Sequence, residues 1–154
     1  MSFNYPQLGS RLLAEANDTV GATGSALHPN VPAWSGGPAR GVFRVGEVEL
    51  PLRSGATGPG EYLADLPGGP GSGLNAQIPT HVEGHVAGLY HQYGLEYGEL
   101  FINKAPCSTG AMCRYNLGRI LPDGAVLDVH FLNDSGSIST WRFTGGLEKW
   151  QVIR

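Results

Sequence analysis

The stretch that decides the fold is residues 81–113, HVEGHVAGLYHQYGLEYGELFINKAPCSTGAMC. Its first part has mostly apolar residues at the i, i+3, i+4, i+7 spacing of a helix, namely Val82, His85, Val86, Leu89, Tyr90 and Tyr93. This spacing predicts a helix that begins near Val82 and ends before Gly94. The apolar run 99–103 is typical of a buried central strand. A second helix is predicted over about 112–121, where Pro122 ends it.

Strands are predicted on both sides of this stretch. Alternating apolar residues around Gly46 and Glu47 predict a hairpin, and Pro51 restricts its second strand to a sheet edge. Residues 125–132 and 138–144 are predicted as two antiparallel strands joined by a turn. The order β-β-α-β-α-β-β predicts an α/β fold: a five-stranded mixed sheet with both helices side by side on one face, their N-termini at the same sheet end.

Glycine and proline divide the chain. The chain has 24 glycines and 11 prolines, concentrated before residue 80. We therefore predict a linker over residues 1–40, with a short helix over 8–17, and one folded domain over 41–154. Residues 54–77 form a long Gly/Pro-rich stretch, and long loops in compact domains are often functional. We expect nucleic-acid contacts there, at Tyr62 or Asn75.

Charge and apolar patterning exclude several classes of protein. A net charge of −3 argues against a domain that binds nucleic acid through bulk positive charge. No apolar run approaches the roughly 18 residues of a membrane span, and the first residues do not resemble a signal peptide. The two cysteines are too few for a disulfide framework, so they could form one local bridge or hold a metal.

Four residues at the two predicted helix starts are candidates for a metal centre. His81 and Glu83 open the first helix, and Cys107 and Cys113 bracket the start of the second. One imidazole and two thiolates leave the fourth tetrahedral position open, as a catalytic zinc site requires. Glu83, two residues from His81, can face a bound water without binding the metal.

Each part of this pattern has an alternative interpretation. Thr80 and Glu83 also fit a capping box at a helix start, and the cysteines fit small core residues. His85, four residues after His81, could pair with it on a metal. Five residues separate Cys107 from Cys113, where Cys-x-x-Cys is usual, so the geometry of the second thiolate stays open. The other histidines considered are predicted to be surface or core residues: His91 and His130.

The combined motif resembles the zinc-deaminase signature, His-x-Glu followed by Pro-Cys and a second Cys. The strings 81–84 (HVEG), 98–103 (GELFIN), 121–125 (LPDGA) and 143–145 (FTG) are similar to the bacterial DddA-like deaminase toxins, a branch of the cytidine deaminase superfamily. The resemblance covers about residues 41–146. It implies an α-β-α-type cytidine deaminase-like fold.

The resemblance also implies an activity, the zinc-dependent hydrolytic deamination of cytosine to uracil in DNA. It makes His81, Cys107 and Cys113 the Zn²⁺ ligands and Glu83 the proton shuttle. The other residues that it implies at the substrate are Val82, whose backbone would contact the cytosine carbonyl, Asn103 at sugar or base, and Ala105 and Pro106 in the pocket wall.

Met112 precedes the second cysteine, where the duplex-acting pattern of this family has an aromatic residue. The sequence also lacks a stripe of basic residues. Together, these two features favour single-stranded DNA as the substrate. Two other functions stay open: a deaminase of free cytidine or nucleotides, and a non-catalytic zinc-containing nucleic-acid-binding module. The resemblance further implies a monomeric toxin domain, delivered by a secreted parent protein into a recipient's cytoplasm, with a cognate immunity protein and no membrane partner.

Overall fold

A computed structural model describes residues 27–64, 77–110 and 112–154. The elements in chain order are β1 (Arg40–Val45), β2 (Val48–Arg53), α1 (Glu61–Ala64), a 3-10 turn (Ile78–Thr80), α2 (Val82–Tyr93), β3 (Tyr97–Ile102), α3 (Cys113–Ile120), β4 (Val126–Leu132), β5 (Ile138–Thr144) and β6 (Gln151–Val152). The helix predicted over 8–17 and the expected contact at Asn75 lie outside the described residues.

The strands form one mixed sheet in the order β2-β1-β3-β4-β5-β6. Strands β3 and β4 are parallel, and the other neighbours are antiparallel. The mixed sheet, the antiparallel last hairpin and the edge position of β2 are confirmed. The prediction of five strands was wrong by one, because β6 has only two exposed residues and therefore no alternating pattern to detect.

Helices α2 and α3 pack on the same face of the sheet, as predicted. Their apolar sides join the central strands in one core, in which Val86 and Leu117 are fully buried with Leu100 and Leu127. Helix α2 directly precedes β3, and α3 lies between β3 and β4, which are parallel. This arrangement brings the two helix N-termini to one end of the sheet.

The second face of the sheet is covered in part by residues before β1. Leu27 and Val31 are buried against Val42 in a separate apolar cluster. Nearby, Glu99 on the same face accepts hydrogen bonds from Arg44 and pairs with His130. The domain boundary at residue 40 stays a prediction, but the described residues before it contribute to packing.

Helix α2 begins without the capping box that the sequence allowed. Its N-cap is His81, with an extended backbone and no side-chain cap. The Thr80 hydroxyl instead donates to the Gln77 carbonyl at 2.7 Å, which closes the 3-10 turn. The helix ends at Gly94 in the left-handed conformation (φ 66°), as predicted. Glu83 is therefore not used as a reciprocal cap for Thr80.

In the part of the chain that the structure describes, none of the helices has the length and apolar character needed to cross a bilayer.

Candidate metal centre and active-site pocket

Three predicted ligands come together where the two helices begin. The ligand atoms of His81, Cys107 and Cys113 all lie within 4.8 Å of one another. The His81 Nδ1 atom is 3.7 Å from the Cys107 sulfur and 3.5 Å from the Cys113 sulfur. No disulfide joins the two cysteines. The arrangement therefore presents one imidazole nitrogen and two sulfurs to a common point.

These distances fit a tetrahedral zinc ion. Zinc–nitrogen bonds of about 2.0–2.1 Å and zinc–sulfur bonds of about 2.3 Å place the two ligand atoms about 3.6 Å apart at the tetrahedral angle. The observed separations of 3.7 and 3.5 Å agree with this value. Three protein ligands are the donor set of catalytic zinc sites, where water or substrate takes the fourth position.

The described residues between the two cysteines include a turn. Gly110 and Met112 both adopt the left-handed conformation, with φ of 62° and 54°. The Met112 amide donates to the Thr109 carbonyl at 3.1 Å, and the Cys113 amide donates to the Cys107 sulfur at 3.3 Å. The longer insertion thus returns Cys113 beside Cys107, and Gly110 is the sequence signal for that turn.

Electrostatics favour a thiolate at Cys107. The Cys113 thiol donates to its sulfur, His81 and the Cys113 amide add further hydrogen bonds, and the pKa of Cys107 falls to about 4 although burial opposes this. The same interaction, together with burial, raises the pKa of Cys113. A bound divalent metal would deprotonate both thiols.

Glu83 lies beside this cluster and is 3% exposed. Burial raises the pKa of its carboxyl to about 7, opposed by its own backbone amide and by His81, while the Cys107 thiolate adds to the rise. A carboxyl with a pKa near neutrality can both accept and donate a proton. This property distinguishes Glu83 from an ordinary buried acid in a salt bridge.

A cavity of about 160 Å³ opens at this cluster. Its walls include the predicted residues His81, Val82, Glu83 and Cys107, together with Ile102. Other lining residues were missed by the sequence interpretation: Gly37, Ala39, Ser54 and Lys104. No local pattern marks them, because they come from three separate parts of the chain that meet only in the fold.

The remaining predicted substrate residues lie outside the cavity lining. Pro106 is buried, Ala105 is partly buried, Tyr62 is partly buried in α1, and Met112 is 41% exposed. The Asn103 Oδ1 atom accepts a hydrogen bond from the Arg40 amide at 2.9 Å. Asn103 therefore fixes the start of β1 beside the end of β3. Substrate contacts by these residues stay predictions.

His85 faces a different region. Its Nδ1 atom accepts from the Gly60 amide at 2.9 Å, and its Nε2 atom bonds the Gly55 carbonyl at 3.0 Å. Because both ring nitrogens are used, His85 does not complete a metal pair with His81. A larger cavity, about 600 Å³, lies on this side of α2, and none of the predicted ligands lines it.

His91 and His130, which were predicted to be surface or core residues, are partly buried and bond other parts of the domain. His91 bonds the Ile120 carbonyl at 2.7 Å, which ties α2 to the end of α3. His130 bonds Thr140 and Glu99 across the sheet. Neither belongs to the group of three side chains that could hold a metal ion.

A comparison with curated proteins gives no match. The profile of the SCP1.201-like deaminase family matches residues 18–146 of the 154. The match includes both helix starts and all three clustered ligand residues, so the site and the family agree on hydrolytic deamination. The chain belongs to the SCP1.201-like deaminase family.

Proposed function

We propose that the protein catalyses the zinc-dependent hydrolytic deamination of cytosine to uracil in DNA, with single strands preferred over duplexes. The observation that carries the proposal is the placement of Glu83 beside three ligand atoms that lie within 4.8 Å of one another. Membership in a deaminase family supports the reaction type. The resemblance to DddA-like toxins supports the choice of cytosine in DNA.

His81, Cys107 and Cys113 would hold Zn²⁺, which supplies Lewis acidity and lowers the pKa of a coordinated water. Glu83 then moves the protons. Its carboxylate accepts a proton from the attacking water and delivers it to N3 of cytosine as the oxygen adds to C4. It next carries the proton of the new hydroxyl to the amino group, which leaves as ammonia, and uracil remains.

The first turn of α2 supports binding of the base. Val82 is the first helical residue and lines the cavity. Amides in the first turn of a helix have no partner within the helix. The Val82 amide is therefore a suitable donor for the cytosine carbonyl, and the buried Glu83 carboxyl would face the amino side of the base.

The proposed preference for single strands rests on how easily the target cytosine reaches the cavity. A base inside a duplex must be unstacked and unpaired, which costs a few kcal/mol. Met112, the exposed residue beside the second cysteine, has no aromatic ring to replace lost stacking. A single strand does not incur this cost.

The biological setting is proposed from the resemblance to DddA-like toxins. The protein would act as a monomeric toxin domain that a secreted parent delivers into the cytoplasm of a recipient cell, with an immunity protein as its inhibitor. Expression in bacteria should therefore be harmful and should raise C-to-T mutation. An equal effect from a Glu83→Gln variant would contradict this setting.

The function is tested by measuring zinc content and uracil formation on the purified protein. We expect one zinc per chain and faster conversion of a single-stranded oligonucleotide than of the matched duplex. Glu83→Gln should retain zinc and lower turnover at least about 100-fold, because the proton carrier is removed. Glu96→Gln, at an exposed position before β3, is the matched control and should keep full turnover.

Three outcomes would change the proposal. Conversion of free deoxycytidine at a higher kcat/KM than the oligonucleotide would favour a nucleoside deaminase. Equal rates on duplex and single strands would refute the strand preference. Stoichiometric zinc without any turnover would favour a non-catalytic module.

A further inference from the structure

An exposed tryptophan lies at the rim of the catalytic cavity. Trp34 is 46% exposed, although it is one of the largest apolar side chains in the protein. The Lys104 ammonium lies over its ring, 4.7 Å from the ring centre. Lys104 lines the cavity together with His81, Glu83 and Cys107. The aromatic ring is thus joined directly to the cavity wall.

Hydrogen bonds hold this rim in place. The Trp34 indole N–H donates to the Gly37 carbonyl at 3.3 Å, and Gly37 itself lines the cavity. Two residues later, the Ala39 carbonyl accepts from the Ser54 amide at 3.0 Å. The segment before β1 is therefore attached to the sheet next to the site, and Trp34 is positioned rather than free.

Positive charge is concentrated near the same end of the sheet. Arg40 and Arg53 are both exposed and are directly opposite each other in the β1–β2 register. Like charges in that position repel and destabilise a sheet, and an anion between them removes the repulsion. Among the ion pairs of the described residues, none involves Arg40, Arg53 or Lys104.

We propose that Trp34 and Lys104 form a subsite for a nucleotide next to the target cytosine, in which Trp34 stacks on the flanking base and Lys104 binds its phosphate. The inference rests on the proposed function, and it makes a single-stranded polynucleotide, rather than a nucleoside, the ligand. Stacking on an aromatic ring together with a nearby cation is the general mode of single-strand binding. Arg40 and Arg53 then attract the continuing phosphate backbone.

This subsite is compatible with the acidic composition of the protein. One stacked base and a few phosphate contacts need only local charge, not a basic stripe across the whole surface. The net charge of −3 therefore does not oppose it. A free nucleoside has neither a flanking base nor a phosphate and would gain nothing from Trp34.

The test measures binding separately from turnover. A fluorescently labelled nine-nucleotide oligo-dC is titrated with zinc-loaded Glu83→Gln protein, and anisotropy gives Kd at several salt concentrations. Trp34→Ala should weaken binding about 10-fold, because stacking of one base is lost. Trp34→Phe should restore most of the affinity. Lys104→Gln should weaken binding. It should also reduce the slope of log Kd against log salt concentration by the amount expected for the loss of about one phosphate contact.

Matched controls separate this subsite from general charge. Lys149→Gln removes the only other lysine, which lies next to β6 at the opposite edge of the sheet from β2, and should leave Kd within about twofold. A parallel titration with oligo-rC compares the Kd for RNA with the Kd for DNA and so distinguishes the two kinds of single strand. Dextran sulfate, a polyanion without bases, should be insensitive to Trp34→Ala.

The outcomes are distinguishable from failure of the proposed function. Unchanged oligonucleotide binding in Trp34→Ala would overturn the subsite even if the protein deaminates DNA. Equal losses for dextran sulfate and oligo-dC would also overturn it, because no base would be read. If Trp34→Ala weakens oligonucleotide binding in a protein that never forms uracil, the subsite is supported and the proposed reaction fails.

Discussion

His81 and His85 lie one turn apart on the same helical segment, yet they belong to two different regions. His81 presents its Nδ1 atom to two sulfurs in a cavity of about 160 Å³. His85 has both nitrogens bonded to the backbone of residues 55–60, beside a cavity of about 600 Å³. The smaller cavity is lined by His81, Glu83 and Cys107. The chemistry of the lining residues, and not the volume of the cavity, therefore identifies the candidate site.

The two regions also differ in what their packing requires. On the His85 side, glycines allow close backbone contact: a Cβ at Gly88 would lie 2.1 Å from the Pro59 carbonyl oxygen. A Cβ at Gly60 would lie 2.0 Å from the Pro79 carbonyl oxygen. This region is built for close packing of a loop on α2, whereas the His81 region is built to present ligand atoms.

The largest difference between the two regions is expected from a ligand substitution. Cys113→Ser keeps the size of a fully buried side chain but replaces a soft thiolate ligand. We expect loss of stoichiometric zinc and at least about a 100-fold fall in turnover. Zinc is measured by competition with a chromophoric chelator. His85→Gln is the matched control and should retain one zinc per chain, and an unchanged zinc affinity in Cys113→Ser would contradict the proposed ligand set.

A smaller effect, on folding alone, is expected from Gly88→Ala. Alanine favours a helix by about 1 kcal/mol over glycine, but overpacking against the Pro59 backbone costs about 3 kcal/mol. The free energy of unfolding should therefore fall by about 2 kcal/mol, as measured by urea denaturation. Gln92→Ala, on the same helix at a partly exposed position, should change it by less than about 0.5 kcal/mol. A stabilised Gly88→Ala variant would refute the close loop contact.

The smallest effect is expected from His85→Gln, which weakens two hydrogen bonds to the loop. The free energy of unfolding should fall by about 1 kcal/mol near pH 7.5. Burial lowers the pKa of His85 in the folded state, with partial opposition from its bond to Gly55. The unfolded chain therefore binds a proton more readily, and folding stability decreases as the pH falls below the unfolded value of about 6.5.

His85→Gln should remove that part of the pH dependence. Urea denaturation between pH 7.5 and 5.5 measures this dependence. The difference in the free energy of unfolding between the wild-type protein and the variant should narrow as the pH falls. A difference that grows towards acid pH would show that His85 is protonated in the folded protein, which contradicts the hydrogen bonds described above.

Much of the fold was accessible from periodicity. Helix α2 and strand β5 have the predicted bounds, and Gly94 and Pro122 mark helix ends through their own backbone preferences. Short elements were missed: α1 has four residues and β6 has two. Such elements are too short to display a period and depend on the contacts that the rest of the chain provides.

The sequence by itself determined the residue types of the candidate metal centre and the helix starts that carry them, because ligand chemistry and helix signals are local. Only the tertiary structure decided which side chains meet. It placed the His81 Nδ1 atom 3.7 Å from the sulfur of a cysteine 26 residues away, and it engaged both ring nitrogens of His85 in hydrogen bonds to a loop. It also placed the Lys104 ammonium over the Trp34 ring at the cavity rim. Such contacts join distant segments, and their geometry is set by packing and hydrogen bonding that no local spacing encodes.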